Sequence, residues 1–314
     1  MEILDLRHFT SAELRPLLEE EARLWSRQLS WDYASSSEMI LRYVDAKVLP
    51  GYAAVEKGKI RGYSFFVYEQ NKGVIGDLFA SAAFSGNGGR VERRLLAHVI
   101  ETLQQSPGIH RIEAQLLIHD SNMVADPFLS AGFRRYRRLF MMLPLRLSEA
   151  PALEIPAPPD IEIRRWSEQD FNGTAGVITA AYQGHVDSDI NDQYRTVGGS
   201  LRFLNNIVRF PGCGVFDPDS SFVALNRARQ IVGVILCSRV RSDVGHVTQV
   251  CVVPEYRRRR LGAALICGAA RILRRQNFNS LSLTVTEANT RAVALYRQLG
   301  FSSQRVFDAY VWEG

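Results

Sequence analysis

The sequence has few cysteines, and it lacks any long apolar run. Its four cysteines all lie in the second half and form neither a Cys-x-x-Cys pair nor a cluster with histidine: Cys213, Cys237, Cys251 and Cys267. This pattern argues against a disulfide framework and against a zinc site. We therefore expect buried free thiols and no bound metal.

Signals for export and for membrane insertion are also missing. The N-terminal residues Met1–Asp5 lack the basic start and apolar core of a signal peptide. No apolar segment approaches the roughly 20 residues that are needed to span a bilayer. We expect a cytoplasmic protein without a membrane partner, present as a monomer or a homodimer.

The sequence also lacks a large excess of positive or negative charge, with 38 Lys and Arg residues against 33 Asp and Glu residues. The basic residues concentrate in two clusters, 134–138 and 257–260. A nucleic-acid binder would need a broad basic face for the phosphate backbone, which two short clusters do not provide. A solvated surface or a local site for a small phosphorylated ligand fits them better, so we expect no nucleic-acid partner.

Prolines divide the chain nearly in half, since four of the twelve lie within residues 151–159. Proline fixes φ and removes a backbone donor, so this stretch is typical of an extended linker. We predict a first domain over 1–150, a linker over 151–160 and a second domain over 161–314. Both halves begin with an alternating strand-like run before a helix, and both end on Gly-Phe, at Gly132 and Gly300. These similarities indicate a duplicated domain.

The second half has the periodicities of a mixed α/β domain. Alternating or apolar runs predict strands over 222–225, 231–240, 246–253 and 281–286. Apolar residues with helical spacing predict helices over 261–273 and 290–299. The order is strands, then helix, strand, helix.

One of these strands runs through a tight basic turn into a helix, an arrangement suited to binding an anion. Backbone N–H groups at a helix start attract anions, and arginines add charge-assisted hydrogen bonds to a diphosphate. The residues that we predict to bind the ligand there are Val250, Cys251, Val252, Arg257, Arg258, Arg259, Arg260, Leu261, Gly262 and Ala263.

Two motifs in this half resemble those of the GNAT superfamily of N-acetyltransferases. The first has Arg257, Arg260 and Gly262 at the spacing of the pyrophosphate motif, although Arg260 replaces a glycine. The second runs from Asn289 through Tyr296 to Gly300-Phe301 and fits the family pattern without a gap. The resemblance implies two GNAT-like α/β domains in tandem, each a mostly antiparallel sheet flanked by helices.

The resemblance also implies an activity and roles for particular residues. Acetyl-CoA would be the co-substrate, and a small-molecule or peptide primary amine would attack its thioester directly. Asn289 would bind the pantetheine arm, Tyr296 would protonate the departing thiolate, and the backbone N–H of Val252 would stabilise the oxyanion. His246 occupies the place of a general base in one branch of the family, whereas Thr284, at the position used by another branch, cannot accept a proton.

The acceptor pocket of the family usually lies beside the first two helices of the domain. Here that region contains His185, Asp187, Asp189 and Asp192. These side chains would orient a cationic amine. A capped connection between two helices explains them equally well.

The first half contains a weaker copy of the second motif, from Asn122 to Gly132-Phe133. It is one residue short, Leu129 is predicted to stand in the place of Tyr296, and Pro127 is predicted to interrupt the helix. The glycine-rich segment 85–90 is either a remnant phosphate loop or a plain loop. We predict a degenerate first domain and a catalytic second domain. The alternative is a protein that only senses acyl-CoA, which the arginine at position 260 favours.

Overall fold

A computed structural model describes residues 1–82, 89–146, 154–209 and 214–314, and it divides the chain into two compact units. Unit 1 consists of Met1–Arg138 with Val306–Gly314, and unit 2 consists of Leu139–Arg305. This division differs from the predicted boundaries at 151–160, because strand pairing places the last residues of the chain with the first unit. The described part of the predicted linker, 154–160, has no helix or strand and lies within unit 2.

Unit 1 contains helices and strands in the order of an α/β domain. The helices are α1 (Ser11–Leu29), α2 (Ala34–Asp45), α3 (Arg90–Gln105) and α4 (Ala125–Ser130). The strands are β1 (Glu2–Asp5), β2 (Gly51–Glu56), β3 (Lys59–Glu69), β4 (Lys72–Ala80) and β5 (Arg111–Gln115), with β6 (Arg134–Pro144) continuing into unit 2.

The sheet of unit 1 is completed by the C-terminal strand of the chain. Its order is β1-β2-β3-β4-β5-β13, where β13 is Ser302–Glu313. The pairs are antiparallel except for the parallel pair β4–β5. Tyr310 of β13 lies opposite Ala114 of β5 and stacks on Phe128 of α4 with a centroid distance of 4.0 Å. The C-terminal strand therefore packs into the core of unit 1.

Unit 2 repeats this plan. Its helices are α5 (Phe171–Tyr182), α6 (Val186–Ile190), α7 (Val197–Arg209), α8 (Leu261–Arg275) and α9 (Thr290–Gln298). Its strands are β7 (Glu162–Arg165), β8 (Val215–Phe216), β9 (Phe222–Leu225), β10 (Ile231–Arg241), β11 (Val244–Val252) and β12 (Ser280–Thr286). These bounds confirm the elements predicted for the second half to within two residues at each end.

The sheet of unit 2 has the order β7-β9-β10-β11-β12-β6. The pairs β7–β9, β9–β10 and β10–β11 are antiparallel, and β11–β12 is parallel. Helices α5 and α7 pack on one face around Ala175, Ile178 and Leu204. No helix among the described residues is both long and apolar enough to cross a membrane.

Two irregularities recur at the same place in both units. In unit 2, β11 and β12 pair only from Val244 to Val247, so the strands separate over the rest of β11. In unit 1, β4 and β5 likewise pair only from Lys72 to Ile75. A β-bulge lies just beyond each paired segment, at Thr248 and at Gly76. A bulge redirects the side chains that follow it, and both irregularities support the predicted duplication.

Unit 1 also buries a hydrogen-bonded acidic network. Tyr63 donates to Glu21 at 2.5 Å and to Asp77 at 3.2 Å, Trp25 donates to Glu21 at 3.1 Å, and Tyr33 donates to Asp77 at 2.6 Å. Burial and the neighbouring Asp77 raise the pKa of the Glu21 carboxyl well above its usual range. Glu21 therefore keeps its proton in the folded protein at pH values where it would lose it in the unfolded chain.

We expect Glu21→Gln to weaken the pH dependence of stability. Because the folded-state pKa of Glu21 is raised, its contribution to stability is complete below its unfolded pKa of about 4.3 and is lost as the pH rises towards the folded value. The unfolding midpoint of the wild type should fall between pH 5 and pH 9, and that of the variant should fall less. Thermal melts followed by circular dichroism at several pH values measure this, and parallel curves for both proteins would contradict it.

Candidate functional site

The basic turn before α8 has an unusual backbone conformation for arginine. Arg258 and Arg260 have φ values of 60° and 61°, in the left-handed region that favours glycine. Arg260 is the N-cap of α8 and makes no side-chain capping bond. The arginine thus adopts a glycine-like conformation, and the N–H groups of the first turn, Leu261–Ala263, lack intrahelical partners. This start of α8 can accept an anion.

The four arginines of the turn differ in what they bind. The Arg257 guanidinium donates to the carbonyls of Ala181 at 2.5 Å and Val252 at 3.2 Å, which ties the end of α5 to the end of β11. Arg259 binds Asp160 and lies 5.4 Å from the centre of the Tyr256 ring. Arg258 and Arg260 form no hydrogen bond or ion pair with the described residues. These two side chains are available to a phosphate.

Asn289 and Tyr296 lie at the two ends of helix α9. The side-chain oxygen of Asn289, Oδ1, caps α9 by accepting from the backbone N–H of Ala292 at 3.3 Å. Tyr296 is 8% exposed, and its hydroxyl makes no hydrogen bond to any residue that the structure describes. Burial, then the charge of Asp187, then Cys251 raise the pKa of the Tyr296 phenol. Tyr296 therefore remains a proton donor at neutral and moderately alkaline pH.

The start of α6 reaches the same place through two of the predicted acceptor residues, its N-cap His185 and Asp187 in its first turn. The Asn289 amide nitrogen lies 3.2 Å from His185 Nε2. Thr286, the last residue of β12, donates to Asp187 Oδ1. The other oxygen, Asp187 Oδ2, is 3.6 Å from His185 Nδ1. The structure thus brings His185 and Asp187 together with Asn289 and the end of β12.

Two further residues at this site were not singled out from the sequence. The Tyr182 hydroxyl donates to Gln249 Oε1 at 3.3 Å, and the Tyr182 ring contacts His185 edge-on at 5.2 Å. Gln249 is 4% exposed, and its Nε2 has no hydrogen-bond partner among the described residues. Gln249 belongs to the part of β11 that has separated from β12, just after the bulge. The bulge, which directs Gln249 to this face, depends on pairing with β10 and has no local sequence signal.

The other two predicted acceptor residues lie further along the chain, in α6 and in the turn that follows it. Asp189 is 49% exposed and forms a long ion pair of 3.9 Å with Arg195. Asp192 begins a short 3₁₀ turn, Asp192–Arg195. For these two, the alternative of a solvated connection between helices describes the observed positions better.

His246 is buried in the paired half of β11. Its Nδ1 is 2.9 Å from Ser282 Oγ, and the ring stacks on Phe140 at 6.4 Å. Ser282 uses its only hydroxyl proton on the Gly245 carbonyl at 3.1 Å. Since Ser282 must then accept from Nδ1–H, Nε2 is the basic nitrogen. His246 precedes Cys251 by five residues, which corresponds to about 15 Å of strand.

The cysteine predicted at the cofactor strand is an inert thiol. Cys251 is buried, and burial raises the pKa of its thiol to about 12. Cys237 and Cys267 are also buried and free. Cys213 lies outside the described residues. Val250 and Val252 flank Cys251 in the separated half of β11, so their backbone groups on that edge do not pair with β12.

The structure corrects the alignment of the two helices that end on Gly-Phe. Phe301 N–H bonds the Tyr296 carbonyl at 2.9 Å, and in unit 1 Phe133 N–H bonds the Phe128 carbonyl at 3.0 Å. Phe128, which is fully buried, therefore stands in the place of Tyr296. The prediction of Leu129 was wrong, because the missing residue is near the start of the helix and Leu129 is 49% exposed.

Pro127 and the glycine-rich segment of unit 1 also have counterparts in the sequence predictions. Pro127 lies in the first turn of α4, where a missing N–H disrupts no helical bond, so the expected interruption is a short helix instead. Gly89 is the N-cap of α3 with φ 73°, matching the conformation of Arg260. Most of the glycine-rich segment, 85–88, lies outside the described residues.

Comparisons with known proteins agree with this geometry. The Acetyltransferase (GNAT) family matches residues 188–301. A mycothiol acetyltransferase from Thermobispora bispora is 30% identical over 244 residues, which are 75% of each chain. A second, from Acidimicrobium ferrooxidans, is 25% identical over 87% of this chain and 85% of its own length.

Solved structures share the fold over nearly the whole chain. A GCN5-related N-acetyltransferase from Sphaerobacter thermophilus has a TM-score of 0.68 at 18% identity, covering 99% of this chain and 95% of its own. A tandem GNAT protein from the clavulanic acid biosynthesis pathway has a TM-score of 0.59 at 12% identity, covering 99% and 98%. The chain belongs to the GNAT acetyltransferase family, as an acetyl-CoA-dependent acyltransferase with two GNAT domains in tandem.

Proposed function

We propose that this enzyme transfers the acetyl group of acetyl-CoA to a primary amine, and that the reaction takes place in unit 2. The observation that carries the proposal is Tyr296, a buried phenol without a hydrogen-bond partner among the described residues. Its counterpart in unit 1 is Phe128, which has no proton to give. Only unit 2 thus has a donor at this position for the departing thiolate.

The residues of unit 2 suit acetyl-CoA as a substrate. The N–H groups at the start of α8, with Arg258 and Arg260, would bind the diphosphate. The separated strands β11 and β12 would receive the pantetheine arm, with Asn289 at the edge. For the Asn289 amide nitrogen to bind this arm, it must give up its contact with His185 Nε2.

The chemical step follows from these positions. The neutral amine nitrogen attacks the thioester carbon, the backbone N–H of Val252 stabilises the oxyanion, and the C–S bond breaks. Tyr296 donates its proton to the sulfur, which leaves as the CoA thiol. His246 is the proposed base, and the length of β11 between it and Cys251 requires water to carry the amine proton to its Nε2.

An acceptor panel tests the proposed function. The full chain is incubated with acetyl-CoA and one amine at a time: glucosamine, L-alaninamide, 2-aminoethanol, propylamine, spermidine, and the acceptor of the mycothiol acetyltransferase relatives. Thiol release measures turnover, and mass spectrometry must show a mass increase of one acetyl group on the amine. Hydrolysis without any acetylated amine would overturn the proposal.

We expect removal of the two available guanidinium groups to weaken coenzyme A binding to unit 2. Arg258→Gly and Arg260→Gly preserve the positive φ values, so the backbone turn is kept. Each exposed charge-assisted contact contributes about 0.5–1 kcal/mol, so the double variant should bind roughly five- to thirtyfold more weakly by calorimetry. Arg259→Gly is the control, since that side chain is held by Asp160. Equal affinities for the double variant and the wild type would place the diphosphate elsewhere.

A further inference from the structure

Asp187 is a carboxylate at the proposed reaction site that forms no ion pair with a described lysine or arginine, and its nearest basic contact is His185 Nδ1 at 3.6 Å. It is 14% exposed at the side chain. The Thr286 hydroxyl donates a hydrogen bond to Asp187 Oδ1, while Asp187 Oδ2 makes no hydrogen bond to a described residue. Arg195, in the turn that follows α6, binds the Ser188 carbonyl at 2.8 Å and Asp189. A half-buried carboxylate in this state attracts a cation from the ligand.

Gln249 supplies a second and independent observation. A buried amide nitrogen without a partner carries an unfavourable desolvation free energy, and Gln249 Nε2 is such a group among the described residues. Its carbonyl oxygen is already used by the Tyr182 hydroxyl. The Tyr182 phenol also lies within electrostatic range of Asp187, Cys251 and Tyr296. Asp187 and Gln249 are therefore linked through His185 and Tyr182, and the charge of Asp187 acts on the Tyr296 phenol.

We propose that Asp187 and Gln249 form the acceptor subsite: Asp187 binds the ammonium of the acceptor, and Gln249 Nε2 donates a hydrogen bond to an oxygen near it. The acceptor class is then a primary amine with a neighbouring carbonyl or hydroxyl oxygen, such as an amino acid amide or an amino alcohol. A plain alkylamine lacks the oxygen and leaves Gln249 unpaired. This inference rests on the proposed function.

Variants of Asp187 test the ammonium contact on the best amine of the acceptor panel. Asp187→Asn keeps the size and the bond from Thr286 but removes the charge, so the KM for the amine should rise at least tenfold while the affinity for coenzyme A is unchanged. Asp187→Glu should recover part of the loss. Asp189→Asn is the matched control in the same helix, α6, and should behave as the wild type.

Variants of Gln249 test the oxygen contact. Gln249→Leu removes the Nε2 donor, together with the oxygen that accepts from the Tyr182 hydroxyl, at similar volume. The loss of the Tyr182 bond affects both amines alike, so the ratio of kcat/KM for L-alaninamide to that for propylamine should fall about tenfold through the lost donor. Thermal melts and coenzyme A binding establish that each variant is folded.

The outcomes separate the subsite from the proposed function. If the wild type acetylates an amine but Asp187→Asn has the KM of Asp189→Asn, or Gln249→Leu keeps the wild-type ratio, the subsite is overturned and the function stands. If the wild type acetylates none of the amines, the proposed function fails and the subsite fails with it.

Discussion

Tyr296→Phe should lower kcat by about 10²–10⁴ while the affinity for coenzyme A stays within a few-fold of the wild type. The phenyl ring keeps its contact with Phe301, at a centroid distance of 5.8 Å. Because the hydroxyl has no hydrogen-bond partner among the described residues, its removal leaves no protein group unsatisfied. The variant therefore loses only the proton for the sulfur, and stability should change little.

The measurement is steady-state turnover on the best amine of the panel, with coenzyme A affinity and thermal melts on the same preparation. The raised pKa of Tyr296 adds a second expectation: its ionisation should not limit kcat at moderately alkaline pH, since the phenol stays protonated there. Phe128→Tyr on the Tyr296→Phe background is the control for unit 1 and should not restore turnover. Unchanged kcat in Tyr296→Phe would show that another group protonates the thiolate.

Tyr310→Ala should destabilise unit 1 by about 3–5 kcal/mol, the usual range for removing a large buried aromatic side chain. Tyr310 is almost fully buried and stacks on Phe128. It also lies opposite Ala114 in the β13–β5 pair, so its removal weakens both the core packing and the strand pairing of unit 1. For a unit of this size the first unfolding midpoint should fall by about 10 °C or more.

Tyr310→Phe is the matched control for this change. It removes only the hydrogen bond from the phenol to Asp308, which is 3.2 Å long, and a single such bond contributes about 1 kcal/mol. Calorimetric melts of the full chain distinguish the two variants. Similar midpoints for Tyr310→Ala and Tyr310→Phe would mean that β13 contributes little to unit 1.

Local patterns were enough to predict the elements around the reaction site. The helix that starts at Leu261 and the helix that ends before Gly300 follow from apolar spacing, caps and turns, which act over a few residues. The duplication also followed from similar ends of the two halves. In the same way, Asn289 and Tyr296 could be named because they lie in one contiguous motif.

Features that depend on distant pairing could not be predicted in this way. Gln249 faces the site because β11 bulges against β10, and Asp187 reaches Thr286 across 99 positions of sequence. Phe128 was missed because the first motif is one residue shorter than the second. Counting from Asn122 places this deletion near the end of the helix, whereas the structure places it near the start. The unit boundaries differ from the proline-rich segment for a related reason. β13 follows unit 2 in sequence, but it pairs with β5 and so joins the sheet of unit 1.

The division of the chain has a consequence for the order of events during synthesis. Unit 2 is a continuous segment, Leu139–Arg305, whereas unit 1 needs its last nine residues, Val306–Gly314, from the end of the chain. A ribosome releases the whole of unit 2 before it releases Val306–Gly314, the part of β13 that belongs to unit 1. Folding from the N-terminus is the usual course for a multidomain chain, but here the second unit can finish first. Unit 1 must wait, with the edge of β5 unpaired, until Val306–Gly314 has been synthesised.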